Sequence, residues 1–295
     1  MNAPIQVATA EDISLRGEVQ GPDTAPLVML LHGGGQSRHA WRGTARRLIA
    51  DGFAVGTYDA RGHGDSDWAP DKDYSMTAHA RDLIAVLRAL GRPAALVGAS
   101  MGGISGLLAA AAMPDLVRAL VLVDIVPRFA PGGVERIRAF MQAHPEGFAT
   151  VDEAAAAVRA HNPNRPPPKT PDGLMRSLRE GPDGRLRWHW DPAVVGEAPG
   201  AELTELLSKK LAALPASLPL MLVSGARSDV VDAEAIEEFR RQAPHAELVA
   251  VSSAGHMVAG DRNDAFGDAI SAFLKRIDSS RLPPAQGFQT AGAPP

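Results

Sequence analysis

The chain contains no cysteine among its 295 residues. That excludes a disulfide framework, a thiolate metal site and a cysteine nucleophile. Aromatic residues are scarce, at 5%, so there is little from which to build base-stacking platforms or aromatic cages. No apolar run approaches the ~18 uninterrupted residues that a membrane-spanning helix requires. Neither sign of charge dominates: 30 Lys and Arg stand against 34 Asp and Glu, a net charge of −4. This gives no electrostatic case for nucleic acid or an anionic membrane surface as partner. The start, Met1 to Gln6, lacks a basic segment followed by an apolar run, so a secretory leader is not expected. These absences lead us to expect a cytoplasmic protein that handles small molecules, as a monomer or homodimer.

What is present is an ordinary globular composition, 45% hydrophobic and 22% charged, long enough for one large domain with room for an insertion. Short apolar runs alternate with helical patterns, as in a mostly parallel sheet covered by helices on both faces. The clearest strands are Leu27–Leu31, Phe53–Tyr58, Ala95–Gly98, Leu120–Asp124, Leu220–Ser224 and Glu247–Val251. Helices are expected near Ala40–Ala50, Met76–Leu90, Met101–Met113, Ala233–Gln242 and Asp264–Lys275. Ile5–Val7 and Ile13–Val19 suggest a short antiparallel start to the sheet. The alternation stops after residue 126 and resumes at 218. Residues 127–217 hold short helical pieces, a proline-rich stretch Asn162–Lys169 that cannot pair in a sheet, and Trp188-His-Trp190. We read 127–217 as a helical cap between two parts of a core, 1–126 and 218–278. The remainder, 279–295, is rich in proline and glycine and has little to bury.

Four segments carry candidate chemistry. Gly98-Ala-Ser100-Met-Gly102 follows an apolar run and precedes an alanine-rich helix. A serine forced into a tight strand-to-helix turn needs neighbours without side chains two residues before and after it, and this spacing supplies glycine at both places. Directly after Leu27–Leu31 comes His32-Gly-Gly-Gly35. Acyl transfer places negative charge on a carbonyl oxygen, which two backbone N–H groups stabilise; Gly34 and Met101 are the expected donors. A phosphate-cradling loop is excluded, since neither G-x-G-x-x-G nor a following Lys-Ser/Thr is present. His32 is read as a brace for the loop rather than a base.

A serine hydroxyl is a weak nucleophile until an imidazole takes its proton. His256, after the last strand and before the final helix, is the expected base. An acid between them in the chain must orient the imidazole. Asp229, following Leu220–Val223, is favoured; Asp124, at the end of an earlier strand, is its competitor, and Asp232 is third. For Trp188 and Trp190 two readings stand side by side: walls of an acyl pocket above Ser100, or anchors of the cap to the sheet.

With these elements in the order Ser–Asp–His, the chain resembles the α/β-hydrolase superfamily from about Ile5 to Ile277. Tyr58-Asp-Ala-Arg-Gly-His-Gly-Asp-Ser66 is similar to that family's D-x-R-G-x-G-x-S loop, which implies that Asp59 and Arg61 brace a turn. The resemblance implies an α/β-hydrolase fold with a mostly parallel eight-stranded sheet and a helical cap inserted after the sixth strand. It also implies a serine hydrolase cleaving carboxylic esters of small to medium substrates through an acyl-enzyme, with no metal or organic cofactor. Branches with an aspartate nucleophile, and those using cap tyrosines to open epoxides, are disfavoured: the elbow carries Ser100, and the only tyrosines are Tyr58 and Tyr74. C–C bond hydrolases of ring-fission products, cofactor-free perhydrolases and a non-catalytic receptor on the same fold remain alternatives. Arg159, Arg165, Arg176, Arg179, Arg185 and Arg187 are all available in the cap to hold an anionic substrate, and none is singled out.

Overall fold

The computed structural model describes residues 2–161, 172–196, 200–252 and 264–281. The chain opens with an antiparallel pair, β1 (Asn2–Ala8) and β2 (Ser14–Gln20), as the apolar spacing suggested. There follow β3 (Leu27–Leu31), α1 (Arg42–Ala50), β4 (Ala54–Asp59), α2 (Met76–Leu90), β5 (Ala94–Ala99), α3 (Met101–Ala112) and β6 (Val117–Val123). After an intervening segment come β9 (Leu220–Gly225), α8 (Ala233–Gln242), β10 (Glu247–Val251) and α9 (Asp264–Arg281). The sheet has eight strands in the order β1-β2-β4-β3-β5-β6-β9-β10. β2 runs antiparallel to both its neighbours, and from β4 to β10 all pairings are parallel.

The period-two alternation of a strand divides its side chains between the two faces of the sheet. Leu27, Met29 and Leu31 of β3, with Leu120 and Leu122 of β6, join the core that packs against α2, α3 and α8. Val28, Leu30, Val121 and Val123 point the other way, toward Leu48 of α1 and Phe266, Ile270, Phe273 and Leu274 of α9. Helix ends follow local chemistry. Ser75 accepts from Ala78 N–H (3.2 Å) at the start of α2, and Gly91 closes the helix in a left-handed conformation (φ 65°). Asp232, third among the candidate acids, caps α8 by accepting from Ala235 N–H (2.7 Å).

Between β6 and β9 lie α4 (Pro131–Gln142), α5 (Val151–His161), α6 (Asp172–Met175), β7 (Leu178–Glu180), β8 (Leu186–Trp188) and α7 (Ala201–Ala212). The segment is therefore not helical throughout. β7 and β8 form an antiparallel hairpin, with Trp188 opposite Leu178. Strands of three residues carry too little alternation to be read from sequence, and their pairing depends on a turn they share with neither helix. The proline-rich stretch 162–169 falls outside the described residues. α9 runs to Arg281, and Phe266, Ile270, Phe273, Leu274 and Ile277 form its buried apolar face. Among the described residues no helix is long and apolar enough to cross a membrane.

Candidate active site

β5 delivers the chain to Ser100, whose backbone stands at φ 47°, ψ −117°, and α3 begins at the next residue. L-residues adopt such angles rarely and at a cost of about 1–3 kcal/mol, which surrounding structure must over-determine. It does so by close backbone approach. A Cβ at Gly98 would lie 2.4 Å from the carbonyl oxygen of Gly102, and one at Gly102 would lie 2.4 Å from that of Leu31. Ser100 N–H donates to the Val123 carbonyl (3.2 Å), tying the turn to the end of β6.

The glycine loop after β3 passes beside this serine: a Cβ on Gly33 would sit 3.5 Å from that of Ser100. Its amides have different fates. Gly33 N–H donates to Gln36 Oε1 (3.1 Å) and Gly35 N–H to His63 Nε2 (3.1 Å). Gly34 N–H has no acceptor among the described residues. Met101, first residue of α3, has an N–H that no intrahelical carbonyl reaches. These are the two amides expected to receive a developing oxyanion. His32 braces the loop, as read from sequence: Ala60 N–H donates to its Nε2 (2.9 Å), so Nδ1 carries the proton and donates to Gly33 O (2.9 Å).

Asp124 and Asp229 lie in contrasting surroundings. Asp124 is fully buried immediately beyond β6, with a left-handed backbone (φ 51°). Gly225 N–H donates to its Oδ1 (3.0 Å) and Ser228 Oγ–H to its Oδ2 (2.6 Å), so it joins the elbow to the end of β9. Asp229 is 41% exposed and ion-paired with Arg136 of α4. His256, the expected base, lies outside the described residues.

Ser100 and Met101 line a cavity of about 470 Å³. Its walls include Met76, Ile104 and Phe129, together with Val134 and Ile137 of α4 and Leu203 of α7; Lys72, Asp73 and Arg138 add charge. A separate hollow of about 400 Å³, bordered by Arg38, Arg42 and Arg46, holds none of the groups the sequence singled out. No cluster of three or more His, Asp or Glu among the described residues is arranged to hold a metal.

Residues 26–262 match the family profile described as the alpha/beta hydrolase fold. The chain belongs to that family. It is similar to the sn-1-specific diacylglycerol lipase ABHD11 of Mus musculus, at 31% identity over 87% of this chain and 83% of that protein. It is 32% identical to the esterase Rv0045c of Mycobacterium tuberculosis, over 85% of this chain and 83% of the relative. Among solved structures, E-2-(acetamidomethylene)succinate hydrolase superposes with a TM-score of 0.80 at 26% identity, covering 93% of this chain and 100% of the other.

In this alpha/beta hydrolase, Trp188 and Trp190 do not line the Ser100 cavity. Their indoles stack on each other (centroids 5.0 Å apart, 9° between planes) and pack with Phe148, Met141 and Leu178 in a small core of the intervening segment. They pack within the intervening segment itself. The loop after β4 is structural, as the resemblance implied. Asp59 accepts from the N–H groups of Arg38 (2.7 Å) and Asp65 (2.9 Å), and Arg61 grips both carboxylate oxygens of Asp82 at 2.7 Å.

Sequence reasoning missed a row of buried histidines under the glycine loop. His32, His63 and His189 follow one another with ring centroids 5.2 and 6.2 Å apart. His63 holds Gly35, and His189 Nδ1 accepts from Gly64 N–H (2.9 Å), linking the intervening segment to the loop after β4. Burial depresses all three, His189 to about 4, so they are neutral at pH 7. No spacing rule joins positions 32, 63 and 189; only the tertiary fold does.

Proposed function

We propose that this protein is a serine hydrolase of small carboxylic esters, working through an acyl-enzyme on Ser100. One observation carries the reading. A serine held at φ 47° faces an apolar cavity, beside two backbone N–H groups that no acceptor among the described residues occupies. In the reaction Ser100 Oγ attacks the ester carbonyl while His256 takes its proton. The N–H groups of Gly34 and Met101 hold the oxyanion, a contribution of about 3–4 kcal/mol for each donor. The alcohol leaves with the proton from the imidazole. Water then enters by the same base and releases the acid. The segment 127–217 acts as the cap that encloses the acyl chain.

Its place directly after the strand Leu220–Val223 favours Asp229 as the acid that orients His256. Burial and hydrogen bonding support Asp124, which lies in the low-dielectric interior beside the elbow, whereas Asp229 is partly solvated and engaged by Arg136. The esterase and lipase names of two relatives agree with an ester as substrate. The test is labelling with a fluorophosphonate probe, followed by peptide mapping and assay with p-nitrophenyl butyrate. Modification at Ser100 with loss of turnover is expected. Full turnover in Ser100→Ala would overturn the reading, and absence of labelling in an otherwise folded protein would favour a non-catalytic receptor.

A further inference from the structure

The walls of the Ser100 cavity carry three charged side chains, and two of them are engaged. Lys72 donates to Asp191 Oδ2 at 2.7 Å. Asp73 accepts from Ser75 N–H (3.0 Å) and from Arg81 (3.2 Å). The third, Arg138, is different. Its side chain is only 21% exposed, its Nε is buried with no hydrogen-bond partner, and its one carboxylate neighbour among the described residues is Glu135, at 4.0 Å. Neighbouring arginines are held closely: Arg128 lies 2.8 Å from Asp232, and Arg136 pairs with Asp229. The cavity lining therefore presents one positive charge with no hydrogen-bonded carboxylate, its only ion-pair partner among the described residues being the exposed Glu135.

Helix geometry explains how it gets there. Positions 134, 137, 138 and 141 share one face of α4 at the i, i+3, i+4, i+7 spacing. Val134, Ile137 and Arg138 line the cavity. Met141, the last of the set, lies with its Sδ 3.8 Å from where a Cβ of Gly34 would be. The same helix face thus spans from the chamber to the oxyanion loop, and a guanidinium stands on it where an apolar side chain would complete the wall. A guanidinium presents a planar fork of donors that matches a carboxylate, and one positive charge in an apolar chamber balances one negative charge.

We propose that Arg138 forms a carboxylate-recognition subsite in this cavity, so that the preferred substrates are esters bearing one free carboxylate. The proposal rests on the reading of Ser100 as nucleophile, and its test separates the two. The readout is the ratio of kcat/KM for mono-p-nitrophenyl glutarate to that for p-nitrophenyl butyrate, which cancels differences in the folded fraction. Arg138→Gln lowers this ratio by about 10- to 100-fold, the range expected for losing a charged hydrogen-bonding partner. Arg138→Lys retains part of it. Lys209→Gln, which removes an exposed positive charge from α7, leaves the ratio unchanged. An unchanged ratio in Arg138→Gln, or an equal fall in Lys209→Gln, overturns the subsite.

Independently of turnover, monomethyl glutarate binds Ser100→Ala in calorimetry and fails to bind the double variant Ser100→Ala, Arg138→Gln. If neither ester is hydrolysed yet this binding difference is found, the subsite stands and the serine reading falls. Equal binding to both variants overturns the subsite.

Discussion

Two loops leave adjacent parallel strands at the same end of the sheet, one after β3 and one after β4, and they treat their polar groups in opposite ways. In the loop after β4 the ionic groups are matched: Asp59 takes two amides and a guanidinium, while Arg61 is shared between Asp82, Glu11 and the Asp73 carbonyl. In the loop after β3 the amides on either side of Gly34 are satisfied and the one between them is open. The first pattern is that of a brace and the second that of a site. Arg61 and Arg138 repeat the contrast at the level of one side-chain type, the first buried and doubly paired, the second facing a chamber without a close acceptor. The lesson is that the charge-dense motif Asp59–Ser66 holds the structure, while the chemistry we propose rests on glycines and a serine with few polar atoms between them.

Four measurements can break or sharpen this contrast. The largest effect is expected at the open site: Ser100→Ala lowers kcat on p-nitrophenyl esters by about 10⁶, leaving only what oxyanion binding provides. Next comes the acid. Replacing the true triad acid by its amide drops kcat by about 10⁴ through the wrong imidazole tautomer. Comparing Asp124→Asn with Asp229→Asn under one assay shows which carries the role; the surroundings described above assign the larger loss to Asp124. Third, the brace predicts a stability effect in place of a catalytic one. Arg61→Leu strands Asp82 in the interior and costs about 3–5 kcal/mol in urea-induced unfolding, while turnover per folded molecule is retained. A selective loss of kcat would erase the distinction between the two loops.

The fourth effect is the smallest and concerns pH. Burial holds His189 at about 4 and His79 at about 3, both below the ordinary histidine value of about 6.5. The folded state keeps these rings neutral while the unfolded chain protonates them, so below about pH 6.5 the unfolded state binds more protons. Stability therefore falls with decreasing pH until the folded pKa is reached. His189 alone accounts for about 2 kcal/mol between pH 6.5 and 5. His189→Phe should flatten that part of a stability-against-pH curve, measured by denaturant unfolding at fixed ionic strength. An unaltered slope would show that the histidine row is solvated.

Legibility in the sequence follows how local each feature is. Leu27–Leu31 and Glu247–Val251 are strands at the residues expected, and Met76–Leu90 is a helix between Ser75 and Gly91, because continuous apolar runs and caps are written in adjacent residues. The elbow was readable from its glycine spacing: Gly98 is dictated by the backbone of Gly102 and Gly103, whereas the contact that dictates Gly102 comes from Leu31 and His32 on a distant strand end. What escaped depends on distant packing. The hairpin β7–β8 is too short for a period. The burial of Asp124 is created by Gly225 and Ser228, about a hundred positions away. Arg138 looks like any helix arginine until the lie of α4 shows which face meets the chamber, and the arginines weighed from sequence did not include it.

The points where the chain leaves and rejoins the sheet around α4–α7 have an evolutionary consequence. β6 and β9 are hydrogen-bonded neighbours, paired from Leu120 with Leu220 to Val123 with Val223. An excursion between two strands that are already paired can grow, shrink or be exchanged without shifting any strand register, and doubling its length adds only about 0.6 kcal/mol of closure entropy. One cassette of the molecule can thus drift in sequence and length while the strained serine stays under constant backbone constraint.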